Sequence, residues 1–186
     1  MKQRMAIYLD KTILIFEEED AKKIYTEKYF GKFIDFGEKK ALQLSFEESL
    51  YLLESKKITI KNNKDNKILD FELFYKICSD LDKELYQKYC VYRDIRKKGY
   101  IIKSGFKFGT HFRVYEKGVN PYKTGDKTKK EHTKYNVHSV MENDVFVYNE
   151  ISRYVRLSHN IRSIALLGVV DSEGQVTYYS VQRIKL

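Results

Sequence analysis

A run of apolar residues near the end of the chain limits its fold more than any other feature. The run spans residues 164–170 and follows a segment in which Ile151, Val155 and Ser158 share one face at helical spacing. A short run that is apolar at every position is typical of a strand buried on both faces. The pattern therefore predicts an amphipathic helix followed by an inner strand of a sheet.

Other strand patterns cluster in the same half of the chain, from Tyr100 onward. Residues 100–103 predict a first strand, and residues 107–115 alternate between apolar and polar like a second one. Strand signals return at residues 135–140 and around residues 145–147. An Asp-Ser-Glu-Gly turn at residues 171–174 then leads into a final strand. These patterns predict a sheet in the second half.

The first half of the chain mixes short strands with helices. Residues 6–16 predict a hairpin with a polar turn, and Ser45 with Glu48 forms a capping box that introduces a helix. Asp70 caps a second helix, and a third ends before Gly99. We expect this half to serve as scaffold and subunit contact, because its sequence shows no obvious chemical site.

The predicted fold class is therefore α+β, a mixed α/β architecture in two parts. Residues 1–82 form a small N-terminal α+β domain. Residues 83–186 form a C-terminal domain with a central mixed β-sheet flanked by helices.

The positive charge of the chain lies entirely in its second half. Residues 1–90 contain 17 basic and 17 acidic side chains, whereas residues 91–186 contain 18 basic and 9 acidic ones, which accounts for the net charge of +9. A basic surface binds polyanions, because neutralising phosphates releases their counterions. Charge alone also fits a lysine-rich proteome, so it favours nucleic-acid binding without requiring it.

Neither the cysteines nor the histidines have the spacing of a metal site. Cys78 and Cys90 lie on helical segments and are expected to be reduced and buried. We predict no metal and no cofactor. No stretch approaches the roughly 18 apolar residues that a membrane-spanning helix needs, and the N-terminus lacks a signal-like block, so we predict a cytoplasmic protein without membrane association.

Several segments together resemble the catalytic domain of the archaeal tRNA-intron splicing endonucleases. They are residues 96–109, 112–116, 131–133, 155–162 and 169–179, in the order that the family shows. The similarity is dense from about residue 85 and weaker before it. Separate blocks in the correct order are far more specific than one short motif.

This resemblance implies an RNA-cleaving enzyme with a nuclease C-terminal domain and no need for metal. The family's general-base tyrosine corresponds to Tyr115 and its general-acid histidine to His132. The tyrosine takes the proton of a ribose 2′-OH and the histidine protonates the leaving 5′-oxygen, which leaves 2′,3′-cyclic phosphate and 5′-OH ends. Without the resemblance, Tyr115 is one of 16 tyrosines and His132 an ordinary loop histidine.

The third catalytic position departs from the family pattern. The family places a lysine before its buried strand, where it stabilises the pentacoordinate phosphorane, and this chain has Ser163 there. Three explanations stay open. The residue has been altered to silence cleavage, a lysine of the loop at residues 118–131 replaces it, or the chain is a supporting subunit. Retention of Tyr115 and His132 argues against the third explanation, which nevertheless ranks second of the three.

The resemblance also implies contacts with RNA and with other subunits. Arg156 matches an arginine that contacts the RNA bulge in the family, and the acidic turn matches a loop that inserts into a neighbouring subunit. The predicted partners are a precursor tRNA with a bulge–helix–bulge and the same or a paralogous subunit, in a homo- or hetero-oligomer, and the terminal strand is expected to extend an interface between like domains. The residues assigned to these contacts are Arg156, Lys123, Lys127 and Lys129 for RNA and Asp171 and Glu173 for docking.

Overall fold

The computed structural model describes residues 4–184, apart from the side chains of Phe108 and Lys129. The chain divides after Tyr86 into two compact units. Each unit combines helices with one mixed sheet, which confirms the predicted α+β fold.

The first unit contains a six-stranded sheet with the order β3-β4-β2-β1-β5-β6. Its strands are β1 Arg4–Leu9, β2 Thr12–Ile15, β3 Lys32–Phe36, β4 Lys39–Leu44, β5 Ile58–Asn62 and β6 Ile68–Leu69. Its helices are α1 Glu18–Lys28, α2 Phe46–Glu54 and α3 Phe71–Leu81. Only β1 and β5 pair in parallel.

Local sequence signals explain how several of these elements begin. The β1–β2 hairpin turns at Asp10 and Lys11, which both have positive φ angles, as a tight two-residue hairpin requires. At the start of α2, the Glu48 N–H donates to the Ser45 hydroxyl at 3.2 Å, and the Ser45 N–H donates to the Glu48 carboxylate at 3.1 Å. The predicted hairpin and capping box are both confirmed.

The second unit contains a five-stranded sheet with the order β11-β10-β9-β8-β7. Its strands are β7 Ile101–Ser104, β8 Phe112–Tyr115, β9 Tyr135–Met141, β10 Ile164–Val170 and β11 Val176–Val181, and its helices are α4 Leu85–Lys97 and α5 Tyr148–Asn160. The central pair β9–β10 is parallel and the other neighbours are antiparallel.

The two helices of this unit contact side chains on different faces of the sheet. On one face, Tyr154 and Val155 of α5 pack against Ala165 of β10, and we call this side the α5 face. The Tyr154 hydroxyl donates to the Asn136 carbonyl and accepts the N–H of Leu166 at 2.9 Å. Burial raises the pKa of Tyr154, so its hydroxyl keeps the proton with which it ties α5 to β9.

Helix α4 covers the other face, where it meets a glycine of β10. A Cβ atom added to Gly168 would lie 2.9 Å from a methyl group of Val91. The half-buried Tyr178 of β11 donates its hydroxyl to Asp94 at 2.6 Å on the same helix. The packing of α4 against this face of the sheet therefore requires a small residue at position 168.

Three of the predicted strands differ from the structure. Residues 107–115 do not form one strand, because a 3-10 turn at Phe106–Phe108 ends at Gly109 with φ at 64° and leaves only β8. No strand forms at residues 145–147, where Val145 is 93% exposed. Strand β10 is present with a helix on each face, but its first residue, Ile164, lies just beyond the end of α5 and is 48% exposed.

Replacing Gly168 with alanine is expected to lower the free energy of unfolding by about 1–3 kcal/mol, the usual cost of overpacking a core. The added methyl group would collide with Val91. Urea denaturation of the two chains measures the loss. Adding Val91→Ala should restore part of it, and a Gly168→Ala chain as stable as the parent would show that α4 packs differently.

Candidate active site

The register of the sheet brings Tyr115 and Ser163 to the same edge, the one formed by the end of β8 and the start of β10. Lys134 lies between them, since its N–H donates to the Val114 carbonyl at 2.8 Å and its carbonyl accepts the N–H of Ile164 at 3.0 Å. Tyr115 follows Val114 on one side and Ser163 precedes Ile164 on the other. Neighbouring strands lie about 4.8 Å apart, so the two backbones are roughly 10 Å apart.

His132 reaches the same edge from the loop that precedes β9. It follows a 3-10 turn at Lys129–Glu131, has extended backbone angles of −79° and 163°, and is exposed. Only Thr133 separates it from Lys134. The structure thus brings together the three residues that the sequence assigned to catalysis, although their roles stay predictions.

Tyr115 is the least accessible of the three. Only 3% of the residue is exposed, and the guanidinium carbon of Arg113 lies 5.9 Å from the centre of its ring. The phenol is therefore largely covered by neighbouring side chains.

Ser163 is held by the end of α5. Arg162 adopts a left-handed conformation with φ at 56°, and the Ser163 N–H donates to the Ser158 carbonyl at 3.0 Å, which closes the helix in a Schellman motif. The Ser163 hydroxyl accepts from Asn136 Nδ2 at 2.7 Å and donates to the Ser158 carbonyl at 3.1 Å. Its one proton is therefore used inside the protein.

Glu131 organises the loop directly before His132. Its carboxylate accepts from Lys123 Nζ at 2.6 Å and from the N–H and hydroxyl of Thr128 at 2.7 and 3.0 Å. The bond from Lys123, followed by those from Thr128, lowers the pKa of Glu131 to about 2. The carboxylate is charged at neutral pH, and these contacts fix the segment that carries His132.

The residues assigned to RNA binding are placed differently from one another. Arg156 is exposed on α5, as an RNA contact requires. Lys123 is bound to Glu131, and Lys127 is partly buried. The side chain of Lys129 lies outside the described part of the structure. Their contacts with RNA stay predictions.

Both carboxylates of the acidic turn accept hydrogen bonds inside it, and Glu173 Oε2 accepts from Gln175 Nε2 at 3.4 Å. Asp171 Oδ1 accepts the N–H groups of Glu173 and Gln175, both at 2.9 Å, which shapes the turn. Glu173 is exposed. Of the two residues assigned to docking, Glu173 is the more accessible.

The α5 face also carries groups that the sequence did not single out. The rings of His111 and His138 stack with their centres 4.2 Å apart, and His111 Nδ1 accepts the N–H of Ser139 at 3.0 Å. His138 and Arg153 line a cavity of about 340 Å³ beside α5. Only the pairing of β8 with β9 joins these histidines, so spacing along the chain could not reveal them.

Neither a metal cluster nor a spanning helix occurs within residues 4–184. No three His, Cys, Asp or Glu side chains described there converge to hold a metal ion. None of the helices in that range is both long and apolar enough to cross a membrane.

Comparison with known protein families matches nearly the whole chain. Residues 85–178 match the tRNA intron endonuclease catalytic C-terminal domain, and residues 5–75 match the N-terminal domain of the same enzymes. The two matched regions together cover both units of the structure.

Curated relatives that are similar to this chain carry the name tRNA-splicing endonuclease, which agrees with the family match. The protein of Methanothermobacter thermautotrophicus is 35% identical over 176 residues, covering 95% of each chain. That of Thermococcus onnurineus is 34% identical over 186 residues, covering 100% of this chain and 99% of the relative. That of Methanococcoides burtonii is 35% identical over 181 residues, and this chain spans about half of its length, 48%. The chain belongs to the tRNA intron endonuclease family, as its sequence predicted.

Proposed function

We propose that the chain is a subunit of a tRNA-splicing endonuclease that cleaves precursor tRNA at intron boundaries. Family membership over both domains supports the enzyme class. The main support for the assignment is that Tyr115, His132 and Ser163 lie at the same edge of the sheet in the matched catalytic domain. The domains are assigned to residues 1–82 and 83–186.

The proposed reaction is an in-line attack within the RNA. Tyr115 takes the proton of the ribose 2′-OH, and the 2′-oxygen bonds to the adjacent phosphorus. The bond from phosphorus to the 5′-oxygen breaks, and His132 gives that oxygen a proton. One proton is taken and one is returned, so the products are a 2′,3′-cyclic phosphate and a 5′-OH, and no metal takes part.

The basic second half of the chain supplies the surface for RNA. Its excess of nine positive charges favours phosphate binding. Arg156 is exposed and suited to stacking on an unpaired base of the bulge. Binding to precursor tRNA in the cytoplasm is part of the same proposal.

Assembly with a second copy or a paralogue is supported by the free edge of the five-stranded sheet. In the described structure β11 pairs only with β10, and Tyr179 on this strand is 56% exposed. Val147 and Tyr148, at the start of α5, are 59% and 88% exposed. Such an edge favours pairing between like domains. Tyr178, on the same strand, is bonded to Asp94 inside the unit.

Ser163 favours a second candidate function, that of a non-catalytic structural subunit. Ser163 stands at the position of the family's lysine, and a neutral hydroxyl cannot stabilise the phosphorane as an ammonium does. In that case a partner would cleave equally well when this chain carries Tyr115→Phe and His132→Ala. Loss of cleavage in the same assembly would support the catalytic assignment.

Replacing Ser163 with lysine is expected to raise the single-turnover cleavage rate of precursor tRNA. The added ammonium would stabilise the same transition state. The gain should stay below the roughly 100- to 1000-fold that losing a sole charge stabiliser costs. It should vanish when Tyr115→Phe or His132→Ala is added. A gain that survives both changes would mean that cleavage occurs elsewhere.

A further inference from the structure

The arginine two positions before Tyr115 has no role in the reaction described above. We infer that Arg113 supplies the positive charge that stabilises the phosphorane in this chain, in place of the lysine absent at position 163. The inference rests on the proposed function, because it assigns another residue to the same site.

Arg113 lies beside the proposed general base. Its guanidinium carbon is 5.9 Å from the centre of the Tyr115 ring. Alternate residues of a strand point to the same face, so the two side chains share a face of β8. The Arg113 Nε donates to the Ser104 carbonyl at 3.1 Å, which holds the side chain against the neighbouring strand.

The same arginine is one strand away from the residue that contacts Ser163. Arg113 is directly opposite Asn136 in the β8–β9 ladder, and Asn136 Nδ2 donates to the Ser163 hydroxyl at 2.7 Å. Residues directly opposite in such a ladder have Cβ atoms about 4.5–5.5 Å apart and share a face. The side chain of Asn136 therefore links the position of Arg113 to Ser163 on the α5 face.

A guanidinium suits this role chemically. It stays charged at neutral pH, and its planar array of N–H donors matches two phosphate oxygens at once. Negative charge grows on the non-bridging oxygens as the 2′-oxygen attacks. A cation already fixed beside Tyr115 stabilises that charge without transferring a proton.

Two lysines near this edge are bound to carboxylates. The ammonium of Lys134 is bound to Glu116, and that of Lys123 is bound to Glu131. Lys103, opposite Arg113 on β7, is only 9% exposed and packs its ammonium against an aromatic ring at 5.4 Å. Arg113 is more accessible than Lys103 and lies closer along the ladder to Tyr115.

A double-mutant cycle tests the inference. The parent, Arg113→Gln, Ser163→Lys and the double variant are compared by single-turnover cleavage of an intron-containing precursor tRNA at saturating enzyme, with RNA affinity measured separately. The matched control is Arg153→Gln, which removes an equal charge from the exposed surface of α5. Thermal unfolding shows whether each chain is folded.

Arg113→Gln is expected to slow cleavage by roughly 100- to 1000-fold with little change in RNA affinity, while Arg153→Gln cleaves like the parent. Adding Ser163→Lys should recover most of the loss, which a misfolded chain could not do. The gain from Ser163→Lys should therefore be much larger in the Arg113→Gln chain than in the parent.

Three results would overturn the inference. The first is an Arg113→Gln chain that cleaves like the parent, and the second is a loss that Ser163→Lys does not reverse. The third is a parent that cleaves nothing alone, because Arg113 then fails to replace the lysine. If Ser163→Lys cleaves in that last case, the proposed function stands without Arg113. If it also fails, the catalytic function itself is wrong.

Discussion

Replacing Tyr115 with phenylalanine is expected to slow cleavage of precursor tRNA by roughly 100- to 10,000-fold, the usual contribution of a general base or acid. The change removes the oxygen that accepts the 2′-OH proton and leaves the buried ring in place, so folding and RNA affinity should be preserved. The measurement is single-turnover cleavage at saturating enzyme, with thermal unfolding of both chains.

Tyr135→Phe is the matched control for this change. Tyr135 lies at the same end of the sheet, but it points away from the α5 face because its neighbour Asn136 points toward it. The control should cleave like the parent. Equal cleavage rates for the parent and Tyr115→Phe would show that the phenol takes no part in the reaction, whatever the control shows.

Replacing His132 with alanine is expected to cause a loss of similar size, roughly 100- to 10,000-fold, because the leaving 5′-oxygen loses its proton donor. His132 is exposed, so the substitution should leave the free energy of unfolding nearly unchanged. Added imidazole should restore part of the activity by entering the space that the side chain leaves. The measurement is the cleavage rate as a function of imidazole concentration.

His159→Ala provides the comparison for that experiment. His159 is also exposed and lies near the end of α5, but no catalytic role is assigned to it. Its substitution should neither slow cleavage nor create a response to imidazole. A His132→Ala chain with full activity would show that another group protonates the leaving oxygen.

The parts of the fold that the sequence predicted depend on contacts within a few residues. The capping box joins Ser45 to Glu48, and the first hairpin turns at Asp10 and Lys11. Neighbours in the chain supply all of these interactions, so residue types at fixed spacing are sufficient. Alternation alone was misleading at residues 107–115, because the glycine after the 3-10 turn breaks a pattern that otherwise fits a strand.

The arrangement of the candidate site could not be read in the same way. Tyr115 and Ser163 come together only because β9 pairs with β8 on one side and with β10 on the other. Hydrophobic pattern does not specify which strands pair or in what register. The resemblance to a family identified these residues, and the register then placed them at one edge.

Arg113 and the stacked histidines show what remained hidden for the same reason. Arg113 lies in a segment that the resemblance quoted, yet its nearness to Tyr115 and Asn136 depends on side-chain direction and ladder pairing. His111 directly precedes β8 and His138 lies on β9, so the two meet only in the folded sheet. Spacing along the chain carries no signal for either arrangement.

The most direct test of the account is to incubate the purified chain with an intron-containing precursor tRNA in the presence of EDTA and to identify the new RNA ends. The account predicts cuts at the intron boundaries that leave 2′,3′-cyclic phosphate and 5′-OH ends, and their loss with Tyr115→Phe or His132→Ala. Absence of cleavage by both the parent and Ser163→Lys, or cleavage that persists in both loss-of-function variants, would contradict it.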